Sequence, residues 1–274
     1  HLQAPLQEIL GQPVVIENRP GAGTTIASAA AARAAPDGHT LYLAYNISYA
    51  ATATLYRNLP YDPAKDPVAV SAVADAPFVL AVGPRVEAAD VASFLHLARS
   101  EPRPLLFGST GVGAGPHLAT ELFLRRLGLR AEHVPYRGTA EVIVGLITGQ
   151  VQFSLLDVAA LGALRAGQVR PLGVTTARPW ALMPEIPPLA ERGVAGFDVS
   201  SGSCIMAPAG LPPALLARLN ADIVAALAAP DVVRRYAEQG FAAAGSTPQA
   251  LAQRIAADTR ALGDVILALG LRAE

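Results

Sequence analysis

Apolar residues along this chain follow two alternating spacings. Leu2, Leu6, Ile9 and Leu10 recur every three or four positions, and Gly11 stands where a helix C-cap is expected. Runs at 14–17, 40–44, 67–73, 78–82, 105–108, 131–134, 152–156, 170–174 and 203–207 predict strands. Helical spacing predicts helices over 2–10, 24–34, 91–100, 116–127, 139–148, 158–166, 187–192, 213–228, 231–239 and 248–269, the last interrupted near Gly263. Thr247-Pro248 reads as an N-cap followed by a first-turn proline, and Pro212-Pro213 opens another helix. Alternation of the two element types predicts an α/β protein with mainly parallel sheets.

Composition narrows the chemistry. The chain has 274 residues, 52% hydrophobic and 16% charged, with a formal net charge of −1. That length carries one large or two medium domains. Neither the charge nor any basic run points to nucleic acid. Cys204 is the one cysteine, so neither an internal disulfide nor a multi-cysteine metal site is available. Lys65 is the one lysine, in a Pro/Asp-rich turn, which argues against pyridoxal-phosphate chemistry and a P-loop. No pair among the five histidines and Cys204 has metal-ligand spacing. No cofactor is expected. No apolar run reaches the roughly 20 residues that span a bilayer.

Two strand–glycine–helix passages could hold an anion. The first runs Gln12 to Gly23, with a β-rich run, a Gly-Ala-Gly turn and an Ala-rich helix. The second is Gly108-Ser109-Thr110-Gly111-Val112-Gly113-Ala114-Gly115-Pro116-His117. Its glycines allow close backbone approach, Ser109 and Thr110 add hydroxyls, and the following helix start favours negative charge. A carboxylate held by backbone N–H groups and hydroxyls is one reading, and a plain glycine-rich turn the other. The nucleotide readings fail, because no Gly-Lys-Ser/Thr ending follows and the spacing misses the dinucleotide fingerprint.

Other candidates cluster at predicted strand ends. His117, on the first turn of a helix, suits a hydrogen bond to the loop better than general-base chemistry, and His133 alternates along a strand as a structural residue. Tyr136-Arg137-Gly138 precedes a helix, and Arg137 could pair bidentately with a carboxylate or sit solvated at a rim. Asp157 could accept from a ligand or cap the next helix, the latter being favoured. Tyr45, Asn46 and Ser48 follow a strand as further lining residues, as does Ser201 in Ser200-Ser201-Gly202-Ser203.

Several strings in order carry a resemblance: Ala35-Pro36-Asp37-Gly38-His39-Thr40-Leu41, Leu59-Pro60-Tyr61-Asp62-Pro63, Gly108-Ser109-Thr110-Gly111, Glu121-Leu122-Phe123, His133-Val134-Pro135-Tyr136-Arg137-Gly138 and Ala207-Pro208-Ala209-Gly210. The chain resembles, nearly end to end, the extracytoplasmic solute receptors of tripartite tricarboxylate transporters, the Bordetella uptake gene family. The resemblance implies a two-lobed periplasmic binding protein of type II-like α/β architecture, with two crossing strands and a ligand cleft between lobes. It places an outer lobe at 1–83 plus 199–274 and an inner lobe at 84–198. It implies a non-catalytic monomer in the periplasm that captures a small organic acid and delivers it to membrane permease subunits.

Relatives carry a first strand and a Pro-Gly-Gly loop ahead of the opening helix, and neither is found in this sequence. Where they often have hydroxyl residues before the histidine, this chain has Ala114, Gly115 and Pro116, implying a less polar ligand than a tricarboxylate. Where many have an aromatic residue after the serines, this chain has Gly202. Two rival readings use the same residues. One is a ligand-sensing adaptor for a signalling partner. The other is a hydrolase built on Ser109 and His117, although Gly-Ser-Thr-Gly does not match the Gly-x-Ser-x-Gly elbow.

Overall fold

The computed structural model describes residues 1–19 and 24–272. In chain order it opens with α1 (Gln3–Leu10), α2 (Thr25–Ala32), β1 (Tyr42–Tyr45), α3 (Asn46–Leu55) and β2 (Pro67–Asp75). There follow β3 (Val79–Val82), α4 (Val91–Ser100), β4 (Leu105–Ser109), α5 (Gly115–Leu127), β5 (Ala131–Pro135), α6 (Thr139–Thr148), β6 (Phe153–Leu156), α7 (Leu161–Arg165) and β7 (Arg170–Val174). The last elements are β8 (Ser203–Pro208), α8 (Pro213–Leu227), α9 (Pro230–Glu238), β9 (Ala242–Ala243) and α10 (Pro248–Ala268). Local chemistry sets many boundaries. Gly11, Gly128 and Gly149 close α1, α5 and α6 in the left-handed region, where a Cβ would be strained. Thr247 caps α10 by accepting the Ala250 N–H at 3.1 Å.

The chain divides into two compact units, one formed by residues up to Asp75 together with those from Gly202 onward, the other by Ala76–Ser201. In the first unit the sheet order is β1-β8-β2-β9 and its pairings are antiparallel. This corrects the expectation of mainly parallel sheets. Strands far apart in sequence pair here, Tyr42 opposite Met206 and Ala74 opposite Ala243, without βα crossovers, which element alternation alone does not reveal. β2 shifts register between Ala69 and Ser71 and again between Ala72 and Ala74. Side chains satisfy the backbone there: Ser246 Oγ accepts the Ala72 N–H at 2.9 Å, and Asn220 Nδ2 donates to Val70 O at 2.8 Å and Ser246 O at 2.7 Å.

Two local expectations are corrected, and one helix is added. Residues 14–17 form no strand, and Val15 and Ile16 lie exposed. A β-rich run becomes a strand only with a ladder partner, and none is present among the described residues. The turn expected at Pro20-Gly21-Ala22-Gly23 lies outside those residues. Asn46 and Ser48 follow β1 as expected, but they open a helix, α3, that the spacing did not predict. Its sequence Asn-Ile-Ser-Tyr-Ala-Ala-Thr-Ala-Thr-Leu is buried on most sides, so it shows no amphipathic stripe to betray a helix. α10 runs unbroken through Gly263, where a Cβ would meet Thr54 Oγ1 at 3.1 Å; that glycine permits close approach of α3.

The second unit holds a five-stranded sheet ordered β5-β4-β6-β3-β7. β4 pairs parallel with both β5 and β6, whereas β3 pairs antiparallel with β6 and β7. Strand alternation sends neighbouring residues of β4 to opposite faces. Leu106 packs with Val142, Leu146, Val151 and Tyr136 toward α6. Phe107 joins an aromatic stack with His117, His133 and Phe153 on the α5 side. Phe94 and Phe123 extend that core. The helix expected at 187–192 is reduced to a 3-10 turn, Leu189–Glu191.

Candidate ligand-binding site

Parallel strand direction gives the second unit its special edge. From β4 the chain crosses through α5 to β5 on one side, then through α6 to β6 on the other. Connections leaving β4 and β6 therefore diverge, and a crevice opens beyond their carboxyl ends, the usual ligand position in such sheets. The starts of α5 and α6 and the 3-10 turn Val158–Ala160 meet at this edge. Their first N–H groups have no acceptor within their own helix. Pro116 at the start of α5 surrenders a donor that would be unpaired in any case.

Ser109, Thr110, Pro116, Thr139, Ser154 and Asp157 line this crevice along with Val142, Leu155 and Leu156. It measures about 150 Å³ and is too narrow for a water-sized sphere. Gly111 and Gly113 have φ of 129° and 77°, so the loop above the crevice depends on residues without a Cβ. Asp157 accepts the Ala159 N–H at 3.1 Å, as a cap, and also the Thr139 hydroxyl at 3.1 Å. Ser154 Oγ donates to Gly108 O at 2.8 Å, tying β6 to β4.

Ser109 is completely buried, and its hydroxyl is committed inward. Its Oγ lies 2.7 Å from His133 Nε2 and 3.1 Å from Gly111 O. His117 Nδ1 accepts the Gly113 N–H at 2.9 Å, so the ring carries its proton on Nε2 when neutral. That Nε2 lies 3.8 Å from Glu121 Oε1. The rings of His117 and His133 stack at 3.9 Å with an interplanar angle of 16°. Burial, and then the neighbouring His133, push the His117 pKa down to about 4. Burial likewise lowers His133 and raises the Glu121 carboxyl.

Tyr136 turns onto α6, where a Cβ on Gly145 would come within 2.9 Å of its ring, and burial raises its phenol pKa. Arg137 is exposed, and its backbone N–H donates to Glu141 Oε2 at 3.1 Å. Tyr45, Asn46 and Ser48 belong to the first unit. Tyr45 and Ser48 are exposed; Asn46 is buried, its N–H donating to Gly202 O at 2.9 Å and its Oδ1 lacking a hydrogen bond. A Cβ on Gly202 would meet Asn46 Nδ2 and Asp75 Oδ1, each at 2.7 Å, so this position has no room for an aromatic wall. Ser201 exchanges backbone hydrogen bonds with Ala76 at 3.1 and 2.7 Å.

Thr139 and Ser154 were not anticipated. A hydroxyl directly after Gly138 at a helix start was a readable signal for the first. One polar residue inside the buried run Phe-Ser-Leu-Leu was the signal for the second. The Ser109–His133 contact had no local signal, because it joins residues 24 positions apart.

A mixed α/β fold whose polar edge gathers helix N-termini and hydroxyls around a small crevice, with the Ser109 hydroxyl turned inward to His133, fits a solute-binding protein. The chain belongs to the tripartite tricarboxylate transporter family receptors, whose family description matches residues 1–271. It is 36% identical over 270 residues to a protein from the tcbD-tcbE intergenic region of Pseudomonas sp. strain P51, covering 98% of this chain and 80% of the relative. It is 34% identical to BugT of Bordetella pertussis over 245 residues, 89% of this chain and 75% of BugT. Among solved structures, Rpa4515 of R. palustris with adipate is similar at a TM-score of 0.77 and 32% identity, covering 99% of this chain and 91% of that one. MatC of Rhodopseudomonas palustris with bound malate gives 0.73 and 31%, covering 97% and 92%. Membership of this receptor family makes the chain a receptor rather than an enzyme.

Proposed function

We propose that this protein captures a small organic acid carrying a carboxylate at the β4–β6 edge of the second unit and delivers it in the periplasm to the membrane subunits of a tripartite transporter. The observation that carries this reading is the convergence of the α5 and α6 starts on one crevice lined by Thr110, whose hydroxyl stands beside them. Helix starts favour an anion, and a neighbouring hydroxyl adds a directed hydrogen bond. Relatives 32% and 31% identical that hold adipate and malate support a small dicarboxylate of similar size. Asp157 faces the same crevice, but its Oδ1 already accepts from Thr139 and Ala159, so its charge is partly spent before any ligand arrives.

Isothermal titration against a panel of mono-, di- and tricarboxylates tests the reading. One class is expected to bind in the micromolar range or tighter, with the acid recovered unchanged. Absence of binding across the panel, or conversion of the acid, would overturn it. Delivery is tested separately by reconstituting uptake with the cognate membrane subunits; uptake that proceeds equally without the receptor would refute that part.

A further inference from the structure

We propose that His117 is the positioning residue of the Ser109–Gly113 loop, with His133 as its stacked partner, and that the loop keeps its ligand-holding shape only while His117 Nδ1 is free to accept the Gly113 N–H. The proposal rests on the reading of this loop as the ligand site. Two hydrogen bonds fix the loop from behind: His133 holds Ser109 Oγ at 2.7 Å at one end, and His117 holds the Gly113 N–H at 2.9 Å at the other. Between these anchors Gly111 and Gly113 occupy positive φ. The glycines supply the shape but no force to keep it, since a chain without Cβ atoms visits many alternatives. Within the loop, Ser109 Oγ and the Ala114 N–H both donate to Gly111 O, at 3.1 and 3.3 Å, and the two imidazoles add the side-chain anchors from outside it.

The link to acidity follows from the donor inventory. A protonated imidazole has no acceptor, so a proton on His117 Nδ1 turns the Gly113 contact into two opposed N–H groups. The ring is 3% exposed and cannot swing toward water without dismantling its stack. Its surroundings can be named element by element. From α5 the Glu121 carboxyl faces it at 3.8 Å. From β5 the His133 ring faces it at 3.9 Å, and from β4 it meets the Phe107 ring, centroids 6.1 Å apart. A proton gained by either imidazole repels one on the other. Acid therefore releases the loop at Gly113 rather than tightening it, and bound acid should be let go.

Two variants and a ligand-free readout test this. His117→Asn places a carbonyl oxygen near the position of Nδ1 and does not titrate; His117→Phe keeps the stack without an acceptor. Amide exchange at Gly113, followed by NMR from pH 8 to pH 4, should show protection in wild type that falls at least tenfold, beyond the intrinsic pH dependence, on acidification. Protection in the Asn variant should persist with no such fall, and the Phe variant should be unprotected throughout. Titration with malate and adipate should show the Asn variant binding about tenfold tighter than the Phe variant at pH 7, one hydrogen bond's worth. Wild type should lose affinity with acid more steeply than the Asn variant, the ligand's own titration being common to both. An unprotected Gly113 amide in wild type at pH 7, or equal acid loss in wild type and the Asn variant, overturns the proposal. If neither acid binds wild type, the ligand reading falls, while the exchange data still decide what His117 does. Should the Phe variant fail to fold, wild type against the Asn variant remains decisive.

Discussion

The two units are built from the same kinds of element, yet among the described residues it is the second that gathers helix starts at one sheet edge. In the first, strands from distant segments pair antiparallel, and polar side chains are spent inward. Ser71, Ser246 and Asn220 close around the irregular register of β2 through bonds of 2.7–3.2 Å. In the second, β4 runs parallel to both neighbours, so the helices after β4 and β5 begin at one edge, joined there by the turn after β6. Strand direction, rather than helix or strand content, turns an α/β scaffold into an anion-holding surface.

That contrast can be broken at its strongest point first. Phe153 is buried against Phe94 and Phe107 at centroid distances of 5.1 and 5.7 Å. Phe153→Ala should cost about 3–5 kcal/mol, read by urea unfolding through Trp180, the sole tryptophan and a member of the second unit. Amides of β2 and β8 should keep their exchange protection; equal loss in both units would show that they do not unfold separately.

Acid should act next. The His117 pKa is about 4 in the fold against an ordinary 6.5, so the unfolded chain binds the proton more readily in that window. Stability reported by Trp180 should be level above pH 6.5 and decline as pH falls toward 4, by on the order of 2 kcal/mol. His117→Asn should remove most of that decline, and an unchanged profile would assign it to other groups.

In the first unit, Asn220→Ala removes two donors from Val70 O and Ser246 O and should cost about 1–3 kcal/mol. The loss should appear in exchange at β2 amides, with the Trp180 transition unmoved. The smallest effect is expected at the crevice itself. Thr110→Val should leave the melting temperature unchanged and weaken carboxylate binding by about 1 kcal/mol. Full retention of affinity would remove this hydroxyl from the site.

Much of this was legible one segment at a time. The glycine loop at 108–113 and the helices flanking it appear where spacing put them, because turn geometry and helix periodicity act over a few residues. α3 escaped, since a helix buried on most sides has no polar face to set its period. Residues 14–17 misled in the opposite direction: β propensity describes a fit to a neighbour and cannot supply one. Ser109 illustrates the limit at the site. Its hydroxyl suggested a ligand donor, and the fold instead turns it toward His133, leaving Thr110 and Thr139 at the crevice.

By itself, then, the order of residues determined most helices and strands, the receptor family and the place of the glycine loop at 108–113, all of which depend on short-range geometry or on strings matched in sequence. Tertiary structure alone decided strand direction in each sheet, the inward commitment of Ser109 and the stacking of two histidines behind the loop. Those depend on which distant backbones share a ladder, and sheet pairing is settled by packing of whole faces rather than by neighbours along the chain.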